Sequence, residues 1–184
     1  MQFIALLDTV KGSFDEIPIL LAGWLGLRRG EIFGLRWSDV DFDKRTLAIE
    51  QTSVRFTKEH IKSPKSDSSR RTLMLPPYIC KILLRYRTNE KVLTTTICGR
   101  YKPQSYSERF SRLLEQQGLE HLRFHDLRHY NATIMLKYGI PDKVASKRLG
   151  HSSTQVTKEI YQHVTSDMDI SYADKIDEIF SKNL

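Results

Sequence analysis

Residues 46–76 read TLAIEQTSVRFTKEHIKSPKSDSSRRTLMLP. The first part, about 46–53, alternates and is rich in β-branched residues, which predicts a strand. A second short strand is expected near 55–62. SPKSDSS, residues 63–69, is dense in turn formers and marks a loop or hairpin tip. RRTLMLP then predicts a third strand, stopped by Pro76 and Pro77. On either side the pattern is helical, over about 15–25, 29–36, 77–89, 105–117, 125–138, 142–149, 154–162 and 169–182. Ile17, Ile19, Leu20, Leu21 and Trp24 form the inward face of the first of these helices, and Ile32, Phe33 and Leu35 that of the second. The expected fold class is α+β: a mostly helical domain with a small antiparallel three-stranded β-sheet at one edge. No internal repeat or linker divides the chain.

The 184 residues suit one domain, or one plus a small appendage. Hydrophobic residues make up 40%, enough for a packed core and too many for a disordered chain. No apolar run approaches the roughly 20 residues of a membrane span, so no membrane partner is expected. The start, MQFIALLDTVKGSF, lacks the charged region and cleavage site of a signal peptide. Cys80 and Cys98 show neither metal-type spacing nor a disulfide framework, so a reducing, cytoplasmic setting is the expectation.

The net charge is +7, which suits a polyanionic partner. Residues 55–71 carry six lysines and arginines against two acids, and residues 123–148 carry the same balance. Residues 165–184 carry five acids and two lysines. Two basic zones and an acidic tail suggest a DNA or RNA face and a tail that goes elsewhere. Solvated surface charge is the plain alternative.

RFHDLRHYNATIMLKYG, residues 123–139, opens a helix with His125 and Arg128 on one face of its first turn. Leu127, Tyr130, Ile134 and Tyr138 are its expected docking stripe. A His and an Arg at a helix N-terminus suit a phosphate, although such a pair alone is also ordinary surface polarity. In GWLGLRRGEIFGLRW, residues 23–37, Arg28 starts a helix, and Glu31 is placed to cap it or to hold an arginine. Arg28 and Arg128 together could clamp both non-bridging oxygens of one phosphate. Lys65, at the hairpin tip, is a further cation, with Lys62 as the competing choice. LGHSSTQVTKEIYQHV, residues 149–164, places His151 ten residues before Tyr161.

The order GLRRGE, a hairpin lysine before SSRRTLMLP, HDLRH, LGHSS and TKEIYQHV resembles the catalytic domain of the tyrosine recombinases, or phage-type integrases. The likeness runs from about residue 15 to 165. It implies Arg28, Lys65, His125, Arg128, His151 and Tyr161 as the catalytic set, with Glu31 as the supporting acid. Lys62, Arg70, Arg71 and Arg123 are the candidate DNA-binding residues of the basic zones. The domain is expected over residues 1–165 and a helical tail over 166–184. The N-terminal core-binding domain usual in the family is not expected within these residues.

The resemblance implies site-specific DNA recombination for a phage or mobile element in a bacterial host, near the nucleoid. Tyr161 would attack a phosphodiester to give a 3′-phosphotyrosyl intermediate and a free 5′-hydroxyl, and religation would need no ATP. A phenol is a poor nucleophile at neutral pH. Positive charge from the arginines favours the phenolate. Neutral His125 would accept a proton or bond a phosphoryl oxygen. Fixed arginine donors would stabilise the charge gathered at phosphorus. His151 would add a donor, and Lys65 would protonate the leaving oxygen. Gly150 would end a helix so that His151 turns inward.

No metal or other cofactor is expected. DVDFDKRTLAIE mimics a calcium loop at Asp39, Asp41, Asp43 and Glu50, but Lys44 stands where that loop needs glycine. The expected partner is double-stranded DNA, bound by a homotetramer whose isolated domain is compatible with a monomer; an accessory DNA-bending protein is a further candidate. The tail packs on its own domain or on a neighbouring subunit. The alternatives are type IB topoisomerase-like cutting and religation, or a non-cutting DNA-binding protein on the same scaffold.

Overall fold

A computed structural model describes residues 2–50, 52–53, 61–62, 70–89 and 95–150, and the side chains of these except at positions 2, 52, 53, 61, 62 and 89. The chain runs α1 (Gln2–Val10), α2 (Glu16–Leu25), α3 (Arg29–Gly34), a short 3-10 turn (Trp37–Asp39), β1 (Val40–Asp41), β2 (Thr46–Ile49), β3 (Thr52–Ser53), β4 (Ile61–Lys62), β5 (Arg71–Met74), α4 (Pro77–Asn89), α5 (Pro103–Gln116), α6 (Asp126–Lys137) and α7 (Asp142–Leu149). The expected class holds: the body is helical and a three-stranded antiparallel sheet forms one edge.

The heart of the fold is α2. Ile17, Ile19, Leu20, Leu21, Ala22 and Leu25 are all buried, because a helix apolar on every side must be covered on every side. α1, α3, α4 and α6 provide the cover. α1 is not among the expected helices. It is short, and it is held by tertiary contacts: Phe3, Leu6 and Val10 enter the core, and Phe3 packs edge-on to Trp24 at 5.5 Å. A Cβ on Gly23 would stand 2.1 Å from the Phe3 ring, so that glycine is the seat of α1.

The sheet differs in membership from the expected one. Its order is β1-β2-β5, and β3 and β4 pair separately as a two-stranded ribbon. The third strand is Val40–Asp41, joined to β2 by the turn that mimics a calcium loop. Asp41 Oδ1 accepts the Lys44 N–H at 2.8 Å, and Asp39 Oδ2 accepts the Arg36 N–H at 2.8 Å. These two acids serve the backbone of a turn. β2 and β5 are in register from Thr46↔Met74 to Ile49↔Arg71. Leu47, Ile49, Leu73 and Leu75 point into the core. By the same two-residue alternation, Arg71 lies on the inward side of β5.

The docking stripe of α6 also differs. Leu127, Arg128, Asn131, Ala132, Met135 and Leu136 are the buried residues, while Tyr138 is 82% exposed. The inward face includes two polar positions because α6 packs against the end of α2, where backbone carbonyls need donors. Asn131 Nδ2 donates to Trp24 O at 3.0 Å.

Candidate functional site

Three arginines that are distant in sequence converge on the last turn of α7. Each is delivered by a different element. Arg28 stands at the N-cap of α3, because Gly26 ends α2 in the left-handed conformation (φ 66°) and reverses the chain. A Cβ on Gly26 would meet Leu149 Cδ2 at 2.4 Å and Asn131 Oδ1 at 2.6 Å, so this turn needs both the conformation and the space of glycine. Arg128 comes from the first turn of α6 and Arg71 from β5.

All three guanidinium groups donate to consecutive backbone carbonyls. Arg71 Nε donates to Arg148 O at 2.6 Å. Arg128 Nη2 donates to Leu149 O at 2.9 Å. Arg28 Nη2 donates to Gly150 O at 2.5 Å. The end of a helix carries unsatisfied carbonyls and the negative pole of its dipole. Cations there are bonded and favourably placed. Gly150 closes α7 in the left-handed conformation (φ 69°), and the next residue in the sequence is His151.

Glu31 ties the group together. Its carboxylate is buried, 1% exposed. Oε2 accepts the Arg28 backbone N–H at 2.8 Å and Oε1 the Arg28 guanidinium at 3.0 Å. Both expected uses of Glu31, the cap and the arginine clamp, occur together. The same two oxygens take a second guanidinium, from Arg71, at 2.9 and 3.0 Å. Burial by itself would raise the Glu31 pKa. The bonds and charge of Arg71, followed by those of Arg28, outweigh it and hold the carboxyl below the usual glutamate value.

Arg128 is 4% exposed. Burial first, then repulsion from Arg28, lower its pKa to about 9, which leaves it protonated at neutral pH. Its second donor, Nη1, bonds Gly26 O at 2.6 Å. Four charged side chains thus carry three positive charges and one negative. The arrangement is net positive and braced by backbone dipoles.

His125 occupies the N-cap of α6 and is open to solvent. Partial desolvation, then the neighbouring His129 and Arg128, pull its pKa below the ordinary 6.5, so the ring is neutral at pH 7. The His125 and His129 rings stand 5.0 Å apart and perpendicular.

The described residues therefore bring Arg28, Glu31, His125 and Arg128 to one end of α6 and α7. Lys65, His151 and Tyr161 lie outside them, as do residues 154–184 with the two helices expected there. Lys62 belongs to β4, without a described side chain. Arg70 is exposed. The Arg123 side chain is 77% exposed and pairs with Asp126 at 2.9 Å. Arg71 does not sit on an outward face: its side chain is 6% exposed and ion-paired with Glu31. The signal was present in RTLML, where residues 71, 73 and 75 share a face and two of them are leucines. Among the described residues no group of His, Cys, Asp and Glu is arranged to hold a metal ion.

The sequence profile of the phage integrase family matches residues 2–168, and the chain belongs to that family. The match takes in α1, ahead of the motifs that carry the likeness. A tyrosine recombinase XerC-like protein of Caldanaerobacter subterraneus subsp. tengcongensis is 26% identical over 201 residues, covering 94% of this chain and 51% of that protein. The ICEBs1 integrase of Bacillus subtilis (strain 168) is 24% identical over 193 residues, covering 97% of this chain and 52% of that protein. The chain spans about half the length of the curated relatives it matches. The solved Tn1549 transposon integrase, in complex with transposon right end DNA, superposes with a TM-score of 0.78 at 22% identity, covering 95% of this chain and 64% of that one. What it shares with this chain is the fold. Among the described residues no helix is long and apolar enough to cross a membrane.

Proposed function

We propose that this chain is the catalytic part of a site-specific DNA recombinase that breaks and rejoins strands through Tyr161. The observation that carries the reading is the convergence of Arg28 and Arg128 on the adjacent carbonyls of Gly150 and Leu149, with neutral His125 at the head of the same helix as Arg128. Such a seat suits the pentacoordinate phosphorus of a phosphodiester, whose charge grows on the non-bridging oxygens in the transition state. Fixed guanidinium groups would stabilise that charge without reorganising at the moment of reaction.

Tyr161 attacks phosphorus, the bond to the 5′ oxygen breaks, and a 3′-phosphotyrosyl link holds the strand. His125 accepts the phenolic proton or bonds a phosphoryl oxygen. Lys65 gives the leaving 5′ oxygen its proton, and His151 adds a donor to the phosphate. Attack by a 5′-hydroxyl reverses the step, so strand exchange needs neither metal nor ATP. Lys62, Arg70 and Arg123 contact the DNA backbone. The working assembly is a tetramer on two duplexes, aided by a DNA-bending protein, in a bacterial cytoplasm.

Covalent trapping tests the reading. The protein is incubated with nicked suicide duplexes built from the ends of the mobile element, with and without chelator. An SDS-resistant adduct that survives chelator and vanishes in Tyr161→Phe is the expected result. Normal DNA binding without an adduct would mean a binder on this scaffold. Relaxation of supercoils without exchange between duplexes would mean a topoisomerase-like enzyme.

A further inference from the structure

We propose that Arg71 is a positioning residue for the phosphate seat, which it serves by neutralising Glu31 so that the charge of Arg28 remains available to the substrate. The proposal rests on the reading of the site as one that binds and cleaves a phosphodiester.

The alternation of β5 turns Arg71 inward, opposite Ile49. Among the described residues its planar fork then makes three bonds. Nη1 and Nη2 grip the two oxygens of Glu31 at 2.9 and 3.0 Å, and Nε donates to Arg148 O at 2.6 Å. One side chain thereby joins the sheet, α3 and α7. The fit against α7 is close. A Cβ on Gly150 would lie 2.7 Å from Arg71 Nη1, so that glycine leaves room for the fork as well as supplying the left-handed turn.

The electrostatic consequence concerns Arg28. Its side chain, 36% exposed, is the accessible member of the trio, since that of Arg71 is only 6% exposed. Without Arg71, the buried carboxylate of Glu31 would have Arg28 as its one ion-pair partner among the described residues. The two would form an ordinary pair, and little net charge would face an incoming phosphate. With Arg71 present the carboxylate is already balanced, and Glu31 holds Arg28 in place without cancelling it. Lysine at position 71 would keep the charge but lose the three-bond geometry.

The test is single-turnover cleavage of a suicide duplex at saturating DNA, with the rate constant read separately from the reactive fraction. Arg71→Gln is expected to slow the rate constant on the order of a hundredfold, and Arg71→Lys by about tenfold, for charge and geometry lost together or in part. Adding Glu31→Gln to Arg71→Gln is expected to restore about tenfold, because the unbalanced carboxylate is gone. A purely structural residue would instead change the reactive fraction or the melting temperature and leave the rate constant alone. That result overturns the proposal, as does wild-type speed in both single variants or a double variant no faster than Arg71→Gln. An unreactive wild-type protein would overturn the reading of the site, and this role with it. A reactive wild-type beside unaffected variants would overturn this role only.

Discussion

Arg128 and Gly26, 102 residues apart in sequence, are joined by a hydrogen bond of 2.6 Å from guanidinium to carbonyl. Gly26 O is an end carbonyl of α2, and the second donor of Arg128 bonds Leu149 at the end of α7. One buried cation thus closes two helix ends. A single side chain in the candidate site is also a part of the core.

Arg128→Lys is therefore expected to lower stability as well as activity. A lysine cannot reach both carbonyls in the planar fork geometry. A buried carbonyl left without a donor costs ~1–3 kcal/mol. Urea unfolding should show that loss in the absence of DNA, and the trapping assay should show no adduct. Unchanged unfolding would refute the structural half of this role.

Gly26→Ala tests the turn that delivers Arg28. The left-handed conformation costs a side chain ~1–2 kcal/mol, and forcing a Cβ against Leu149 and Asn131 adds ~1–3 kcal/mol. Gly118 has a similar φ of 62° with nothing within 4 Å of an added Cβ. Gly118→Ala should bear the first cost only. Thermal melts of the two variants compare them directly, and equal shifts would argue against close packing at Gly26.

Glu31 makes stability depend on pH. Its folded-state pKa is below the ordinary value of 4.5, so the ionised form contributes stability that is fully present above that value. The contribution is lost as pH falls through the folded-state value. At neutral pH Glu31→Gln should be less stable than the wild type, by about 3 kcal/mol for breaking a buried ion pair. Denaturant melts from pH 7 downwards should show this difference shrinking below pH 4.5. A difference that stays constant would mean that the carboxylate charge contributes nothing.

His125 has a folded-state pKa below 6.5. Stability linked to it is complete above 6.5 and falls as pH drops below that value, where the unfolded chain takes up a proton more readily. In the cleavage reaction a neutral acceptor should keep its rate from pH 7 down to 6.5 and lose it on further acidification. A pH–rate profile for the wild type beside His125→Gln measures this. An acid limb that survives unchanged in the variant would assign the titration to another group.

The elements that were legible in the sequence are those with a clear period. Residues 16–25, 77–89 and 142–149 are helical as read, because their apolar positions or their stop signals are local. α1 was not legible, since these nine residues gain their helix from Phe3 packing over Gly23. The α6 stripe differs from its apolar periodicity for a related reason. Apolar periodicity favours Tyr138, yet the buried face carries Arg128 and Asn131, because the surface they meet is the carbonyl end of another helix. Strand membership depended on which segments pair, and the loop carrying Asp41 and Lys44 supplied a third strand through its turn chemistry.

The candidate site divides in the same way. By itself the sequence determined the chemical types and their order: Arg28 with Glu31 three residues on, and His125 with Arg128 one turn later. Spacing within a helix is a local property, and the motifs record it. Only the tertiary structure decided that Arg71 turns inward to share Glu31, and that three arginines meet the carbonyls of residues 148–150. The reason is physical. A buried guanidinium must find acceptors for its donors, and the acceptors here are a carboxylate and a helix end that close packing brings within 3.0 Å.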